Sequence, residues 1–153
     1  MIAPPNPRFA ERARDSFGRQ AAMRLIGATL TEVEPGAVMI DLPVREDLTQ
    51  QHGYVHGGIV GMIADSAGGY AAFTLMPAEA SVLTVEYKIN MLAPATGERL
   101  VARGTVVKSG RTLAVARAEV FGVAIGRQTL VASMQQTLMV MHGMADHADA
   151  ARL

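Results

Sequence analysis

Apolar and polar residues alternate along several stretches of the chain. From Val38 to Val44 every second residue is apolar, which is the period of a half-buried β-strand. A second extended stretch, 28–34, precedes it, and the Pro35-Gly36 pair between the two favours a turn. Together these segments predict a β-hairpin in the first third of the chain.

The same two-residue period returns after Pro77 and divides the next strand into two sides. One side carries Leu83, Val85, Tyr87, Ile89 and Met91, and the other carries Thr84, Glu86, Lys88 and Asn90. Three more strands are predicted at 99–108, 112–123 and 127–141. Turn-favouring residues, Ser109-Gly110 and Gly126, separate them.

A long apolar segment lies between the hairpin and these strands. Residues 57–78 are 22 in number and contain one charged side chain, that of Asp65. This length would suffice to cross a bilayer. However, a carboxylate near the middle costs at least about 2.5 kcal/mol on insertion scales, and no Lys or Arg flanks the segment between Arg45 and Lys88. We therefore interpret it as a helix buried inside a soluble protein.

The order of the predicted elements defines a fold class. A short amphipathic helix is predicted within 9–26, where Phe17, Ala21 and Leu25 recur at helical spacing. Two strands, one long helix and four strands follow, without the strand-helix alternation of a parallel sheet. This order predicts an α+β fold in which an antiparallel sheet curls around one central helix. We expect an N-terminal segment (1–26), one domain (27–141) and a C-terminal tail (142–153).

Composition narrows the range of functions. Fourteen basic residues balance fourteen acidic ones, so charge gives no reason to expect nucleic acid or an anionic membrane as a partner. The chain has no Cys, which excludes a disulfide scaffold and a thiol nucleophile. The opening residues, MIAPPNP, do not resemble a secretory signal, so the cytoplasm is the expected location.

Asp65 is the only charged residue between Leu48 and Ala78, on the helix expected to be the most buried element. At 100° per residue its neighbours around the helix are small: Gly58, Gly61, Gly68, Gly69 and Ala72. Two interpretations are open. The carboxylate is either a hydrogen-bonded structural acid, or a group that burial keeps basic enough to activate water or to attack directly.

The same helix begins at His56-Gly57-Gly58, where free backbone N–H groups and the helix dipole can hold a negatively charged oxygen. Asp65 lies nine residues after His56, about 13 Å along a regular helix. One helix cannot bring its carboxylate to its own N-terminus, but two antiparallel copies in a dimer could. The spacing therefore predicts a site shared between subunits. A metal site is not expected, because His52 and His56 lack a third ligand.

Three sequence motifs resemble those of a known family. They are QQHGYVHGG at 50–58 followed by Asp65, the strand LTVEY at 83–87 and the turn LAPATGE at 92–98. The chain resembles the hotdog-fold acyl-CoA thioesterases of the phenylacetyl-CoA thioesterase-like (PaaI-like) family. This resemblance implies an antiparallel sheet wrapped around one long helix, and dimers with two active sites between the subunits. It also implies an acyl-CoA substrate and no metal or redox cofactor.

The resemblance assigns roles to five residues. It makes Asp65 the general base or nucleophile and the Gly57 N–H the oxyanion donor, with His56 orienting or polarising the thioester. Gln50 stands where relatives often have Asn, and its amide could bind the carbonyl or the lytic water. Thr84 matches a strand hydroxyl that positions the water or the acid. Simple alternation would place Thr84 on the polar side of its strand, unless the strand is bulged.

Further residues are candidates for substrate binding. Gly58 accompanies Gly57 at the helix N-terminus, and an aryl or alkyl pocket could be lined by Met62, Tyr70 and Phe73. CoA phosphates need cations, for which Lys108 and Arg111 beside the Ser109-Gly110 turn are candidates, although a solvated hairpin is the alternative interpretation there.

The expected assembly is a homodimer or a dimer of dimers. Two other functions are compatible with the fold: a non-catalytic acyl-CoA-binding or sensing domain, and a hotdog hydratase or dehydratase. Retention of His56, Gly57 and Asp65 together argues against the first, while the second resembles a different arrangement of His and acid.

Overall fold

A computed structural model describes residues 3–144 and 146, which form a six-stranded antiparallel sheet around a long helix. The elements are α1 (Phe9–Arg19), α2 (Ala21–Ile26), β1 (Thr29–Glu34), β2 (Ala37–Pro43), a 3₁₀ turn (Glu46–Leu48), α3 (Gly57–Phe73), β3 (Ala80–Met91), β4 (Arg99–Ser109), β5 (Leu113–Ala124) and β6 (Arg127–His142). The strand order is β1-β2-β4-β5-β6-β3. The predicted α+β class is confirmed. Of the expected tail, all but residues 142–144 and 146 lies outside the described residues.

The strands form where the two-residue period predicted them. In β2 the side chains of Val38, Ile40 and Leu42 are buried, whereas the residues between them are not fully covered. The turn between β1 and β2 places Gly36 at a φ of 77°, a conformation that glycine adopts without steric cost. The sequence therefore locates this hairpin and its core-facing side correctly.

Helix α3 lies against the sheet at very short range. Its buried residues include Ile63, Ala64 and Ala67, and the backbone at Ala67 approaches Gly104 of β4 so closely that a Cβ on Gly104 would overlap it. A strand glycine, rather than a helix glycine, thus makes this approach possible. None of the helices in the described part of the chain has the length and hydropathy needed to cross a membrane.

The N-terminal segment differs from its prediction. Two helices replace the single one expected within 9–26, because Gln20 has an extended backbone (ψ of 104°) between α1 and α2. Phe17 is buried and packs edge-on against Tyr70 of α3, with ring centroids 5.5 Å apart. The segment therefore contributes one face to the core, and α1 covers the second half of α3.

Strand β3 is an edge strand with a β-bulge. Thr84 pairs with Leu138 and Glu86 pairs with Thr137 of β6, so Val85 is an extra residue without a partner of its own. The bulge moves Thr84 to the side that faces α3, whereas Leu83 is 58% exposed. The unbulged alternation, which placed Thr84 with Glu86 and Lys88, is therefore wrong for the first half of the strand.

Candidate active site

The Asp65 carboxylate is held by two hydrogen bonds from the sheet. The Thr84 hydroxyl donates to Oδ1 over 2.8 Å, and Nε2 of Gln136 donates to the same oxygen over 3.1 Å. These donors come from neighbouring strands, β3 and β6, and fix one oxygen of the carboxylate. Within the described residues Oδ2 has no hydrogen-bond partner, which leaves this oxygen available to a proton or to a substrate atom.

Burial dominates the protonation of Asp65. The side chain is half-buried, and desolvation raises the pKa of its carboxyl above the usual value. The hydrogen bonds from Thr84 and Gln136 act in the opposite direction, because they stabilise the charged form, but the desolvation effect is larger. A carboxylate with a raised pKa binds protons more strongly than an exposed one, as a general base requires.

Asp65 lines an open cleft of about 550 Å³. Helix α3 also contributes Ser66, Gly69 and Tyr70 to the lining, and β3 contributes Val82, Leu83 and Thr84. The opposite wall comes from the N-terminal helices and the far end of the chain, namely Ser16, Arg19, Gln20 and Asp146. The cleft therefore gives a small molecule direct access to the carboxylate.

The N-terminus of α3 presents a free donor. His56 is the N-cap, and its Nδ1 accepts a 2.9 Å hydrogen bond from the Gly58 N–H. The Gly57 N–H has no acceptor among the described residues. Since Nδ1 of His56 is an acceptor, its neutral ring carries hydrogen on Nε2, and this exposed nitrogen is a second donor at the helix end.

Gln50 belongs to a tight loop just before α3. Its backbone N–H donates to the Tyr54 carbonyl over 2.8 Å, and its side-chain Oε1 accepts from the His52 N–H. At the end of the loop the His56 N–H donates to the Leu48 carbonyl over 2.9 Å, and this hydrogen bond fixes the loop to the 3₁₀ turn. The amide oxygen of Gln50 is thus used by the loop, which leaves Nε2 as the group that can donate to a ligand.

The helix N-terminus at Gly57 and the carboxylate of Asp65 form two half-sites of the candidate active site. One chain does not bring these two half-sites together. Gly57 and Asp65 are eight residues apart on α3, which is about 12 Å along its axis. The region between them lies along β3, where Met91 is beside Gly57 and Tyr87 is beside Gly61. Among the residues that the structure describes, no group of three or more His, Asp or Glu side chains could hold a metal ion.

The structure separates the three residues predicted to line the acyl pocket. Tyr70 lines the cleft beside Asp65, and its hydroxyl lies 3.0 Å from the Ser16 hydroxyl. Phe73 is buried deeper, edge-on to Tyr70 with the Arg12 guanidinium 3.9 Å from its ring centre. Met62 is half-buried against the core. Phe73 and Met62 do not line the cleft that contains Asp65.

Lys108 and Arg111 are exposed around the β4-β5 turn. Leu113, next to this turn, pairs with Met139 of β6, which pairs in turn with the cleft residue Leu83 of β3. The two cations therefore lie at the same end of the sheet as the cleft, two strands away from its β3 wall.

Gln136 is a contact of Asp65 that the sequence analysis missed. It occupies an inward position of β6 between Met134 and Leu138, where every other inward side chain from Ala132 to Val140 is apolar. A single amide in an otherwise apolar series is the signal that would have identified it. The cleft wall from Ser16, Arg19 and Asp146 has no comparable signal, because it depends on how the chain ends pack.

The antiparallel sheet around a central helix that carries one half-buried carboxylate is the architecture of a hotdog-fold thioester hydrolase. A family model, described as the thioesterase superfamily, matches residues 52–131. The chain therefore belongs to the thioesterase superfamily, and the predicted resemblance to hotdog thioesterases is confirmed.

Individual relatives agree with this assignment. A thioesterase family protein from Silicibacter pomeroyi is 50% identical, with a TM-score of 0.87 over 88% of this chain and 99% of its own. Acyl-coenzyme A thioesterase 13 from Homo sapiens is 30% identical over 68% of this chain and 75% of its own length. The PaaI protein from the E. coli phenylacetic acid degradation operon is 20% identical, with a TM-score of 0.80 over 90% of this chain and 96% of its own. At that identity the likeness to PaaI concerns the fold.

Proposed function

We propose that this protein hydrolyses acyl-CoA thioesters to the free acid and CoA, with Asp65 as general base or nucleophile. One observation carries the proposal: a half-buried carboxylate with a raised pKa lines an open cleft, where two donors hold its Oδ1 and no described residue binds its Oδ2. In a member of the thioesterase superfamily, such a group is the expected activator of water. The similarity to an acyl-coenzyme A thioesterase supports CoA esters as substrates.

The proposed reaction uses the two half-sites together. The thioester carbonyl accepts a hydrogen bond from the Gly57 N–H, with His56 Nε2 as a further donor to orient it. Asp65 takes a proton from a water molecule, whose oxygen adds to the carbonyl carbon. The carbon–sulfur bond then breaks, the CoA thiolate leaves and takes up a proton, and the carboxylic acid is released.

Direct attack by Asp65 is the second form of the proposal. In this form Oδ2 adds to the carbonyl carbon and the CoA thiolate leaves, which gives a mixed anhydride between Asp65 and the acyl group. Water then adds to the acyl carbon of the anhydride, which releases the carboxylic acid and restores the Asp65 carboxylate, and the remaining proton is taken up by the CoA thiolate. Thr84 has the same role in both forms, since its hydrogen bond to Oδ1 stabilises the charged carboxylate and leaves Oδ2 to react.

We propose that a complete site needs two chains. Gly57 and Asp65 are about 12 Å apart along one helix, which is too far for one thioester group to contact both. Two antiparallel copies of α3 would place Gly57 of one chain opposite Asp65 of the other. The proposed assembly is therefore a homodimer with two shared sites, or a dimer of such dimers.

The exposed apolar side chains of the edge strand β3 support this assembly. This edge strand has twelve residues, and several of its large apolar side chains are at least half exposed: Leu83, Val85, Tyr87 and Met91. A long apolar edge strand promotes aggregation unless another chain or element covers it. Antiparallel pairing of two β3 edges would cover this edge of the sheet and would place two α3 helices side by side.

The experiment is a thiol-release assay on a panel of acyl-CoA esters with short alkyl, long alkyl and aryl acyl groups. We expect hydrolysis of at least one ester, with turnover that depends on Asp65. Binding of acyl-CoA without release of thiol from any member of the panel would contradict the proposed reaction. It would instead favour a domain that binds or senses acyl-CoA.

A further inference from the structure

Gln136 is fully buried and touches the proposed catalytic acid twice. Its Nε2 donates to Oδ1 of Asp65 and to the Asp65 backbone carbonyl, each over 3.1 Å. It therefore connects the side chain and the main chain of the same residue from inside the sheet. Only 1% of Gln136 is exposed, so solvent cannot replace it.

The other half of the same amide has no partner. Oε1 of Gln136 is the one buried side-chain oxygen or nitrogen without a hydrogen bond in the part of the chain that the structure describes. A buried acceptor without a partner lowers stability. Gly68 makes room for this arrangement, because a Cβ at Gly68 would overlap the amide, whose Cδ lies 2.7 Å from that position. The amide is thus poorly suited to stabilising the fold.

We propose that Gln136 is a positioning residue for Asp65, held in an unfavourable buried position because it fixes the orientation of the carboxylate. This inference rests on the proposed function, in which Asp65 activates water or attacks the thioester. Thr84 alone leaves the carboxylate free to rotate about its single hydrogen bond to Oδ1. Two donors on Oδ1 from different strands restrict that rotation and leave Oδ2 as the oxygen that reacts.

The test measures the protonation of Asp65 with and without the amide. The other charged or titratable groups that line the cleft are Arg19 of α1, Tyr70 of α3 and Asp146, and none of these is altered by a change in β6. Loss of the Gln136 hydrogen bond removes a group that favours the charged form of Asp65. The pKa of Asp65 should therefore rise when Gln136 is replaced.

The experiment compares Gln136→Leu and Gln136→Glu with a matched control, Gln135→Leu. Gln135 is the adjacent residue of the same type, but it is exposed. The readouts are a ¹³C NMR titration of the Asp65 carboxyl, assigned by its absence in Asp65→Asn, and the pH profile of kcat/KM for thiol release. Melting curves on the same preparations show whether each variant folds.

We expect Gln136→Leu to raise the NMR midpoint and the acidic limb of the profile by about one pH unit. We also expect it to lower kcat about 10-fold and to leave the melting temperature unchanged or higher. Gln136→Glu should raise the midpoint further, because two adjacent carboxyls compete for ionisation. Gln135→Leu should change none of these quantities.

The inference is overturned if folded Gln136→Leu titrates like the wild type, or if kcat is unchanged. It is also overturned if both Gln136 variants fail to fold, because the amide would then be structural. The NMR titration separates this inference from the proposed function. One informative result is a wild type that releases no thiol while the Asp65 midpoint still moves in Gln136→Leu. That result contradicts the proposed reaction but not the effect of Gln136 on Asp65.

Discussion

Replacement of Asp65 by Asn changes one atom of the half-site and keeps its shape. The Asn Oδ1 can still accept the 2.8 Å hydrogen bond from Thr84 and the 3.1 Å hydrogen bond from Gln136. The Nδ2 group then occupies the place of Oδ2, which has no hydrogen-bond partner among the described residues. We therefore expect Asp65→Asn to fold and to bind acyl-CoA, because no buried donor or acceptor loses its partner.

The expected loss is in turnover. A positioned general base contributes about 10²- to 10⁴-fold to rate, and an amide can neither accept a proton from water nor form an anhydride. We expect kcat for thiol release to fall at least about 10²-fold, with KM nearly unchanged. Asp15→Asn, at an exposed position of α1, is the matched control and should retain wild-type turnover.

The pH dependence of stability gives an independent check on the same variant. Burial raises the pKa of folded Asp65 above its usual value of 3.8. The folded protein therefore binds this proton more tightly than the unfolded chain, and the wild type loses stability as pH rises from about 3.8 through the raised pKa. Asn does not titrate, so the melting temperature of Asp65→Asn relative to wild type should increase across this window.

Two results would refute this reasoning. Near-normal hydrolysis by a folded Asp65→Asn protein would remove Asp65 from the chemistry. A melting-temperature difference that does not change between low pH and neutral pH would show that the pKa of the carboxyl is not raised in the folded state.

Three further predictions concern the helix end, the shared site and the CoA phosphates. Gly57→Ala should lower turnover with no loss of melting temperature, since its added methyl would meet only the flexible end of a Met side chain at 3.4 Å. Melting curves and thiol-release curves test this, and a loss of turnover that only matches the loss of folded protein would contradict the oxyanion role. Verified hybrid dimers of Gly57→Pro and Asp65→Asn chains should regain activity, because one composite site is intact. Hybrids without activity, or a monomer that sedimentation shows to be fully active, would contradict the shared site. Lys108→Ala combined with Arg111→Ala should raise KM for an acyl-CoA but not for the matching acyl-pantetheine, whereas Arg117→Ala should not; an equal change for both esters would argue against phosphate contacts.

The sequence predicts most of the fold because its strands and its helix have distinct periods. The alternation in β2 and the continuous apolar segment of α3 each specify an element and its environment, and the helix begins where the glycines follow His56. The break at Gln20 was not predictable, since the apolar residues on both sides continue the helical spacing. It arises because Phe17 and Met23 pack into the core from two different helices.

The candidate site was predictable only in part. Asp65 is evident as an isolated charge, whereas its partners depend on strand register, which the local pattern does not fix. Thr84 faces Asp65 only because Val85 is an extra residue in β3. The sequence signals Gln136 only as one polar exception within a regular apolar series of β6. Its contact with Asp65 spans 71 positions of sequence.

The bulge at Val85 also determines which genetic changes β3 can accept. Before it, Val82 and Thr84 face α3; after it, the inward residues include Tyr87 and Ile89, which have the opposite parity in the sequence. Deletion of Val85 would restore a regular strand, and one half would then have to turn its inward side chains to the outside. Substitution at this position should be tolerated in families of homologous genes, whereas a single-codon deletion or insertion nearby should be strongly selected against.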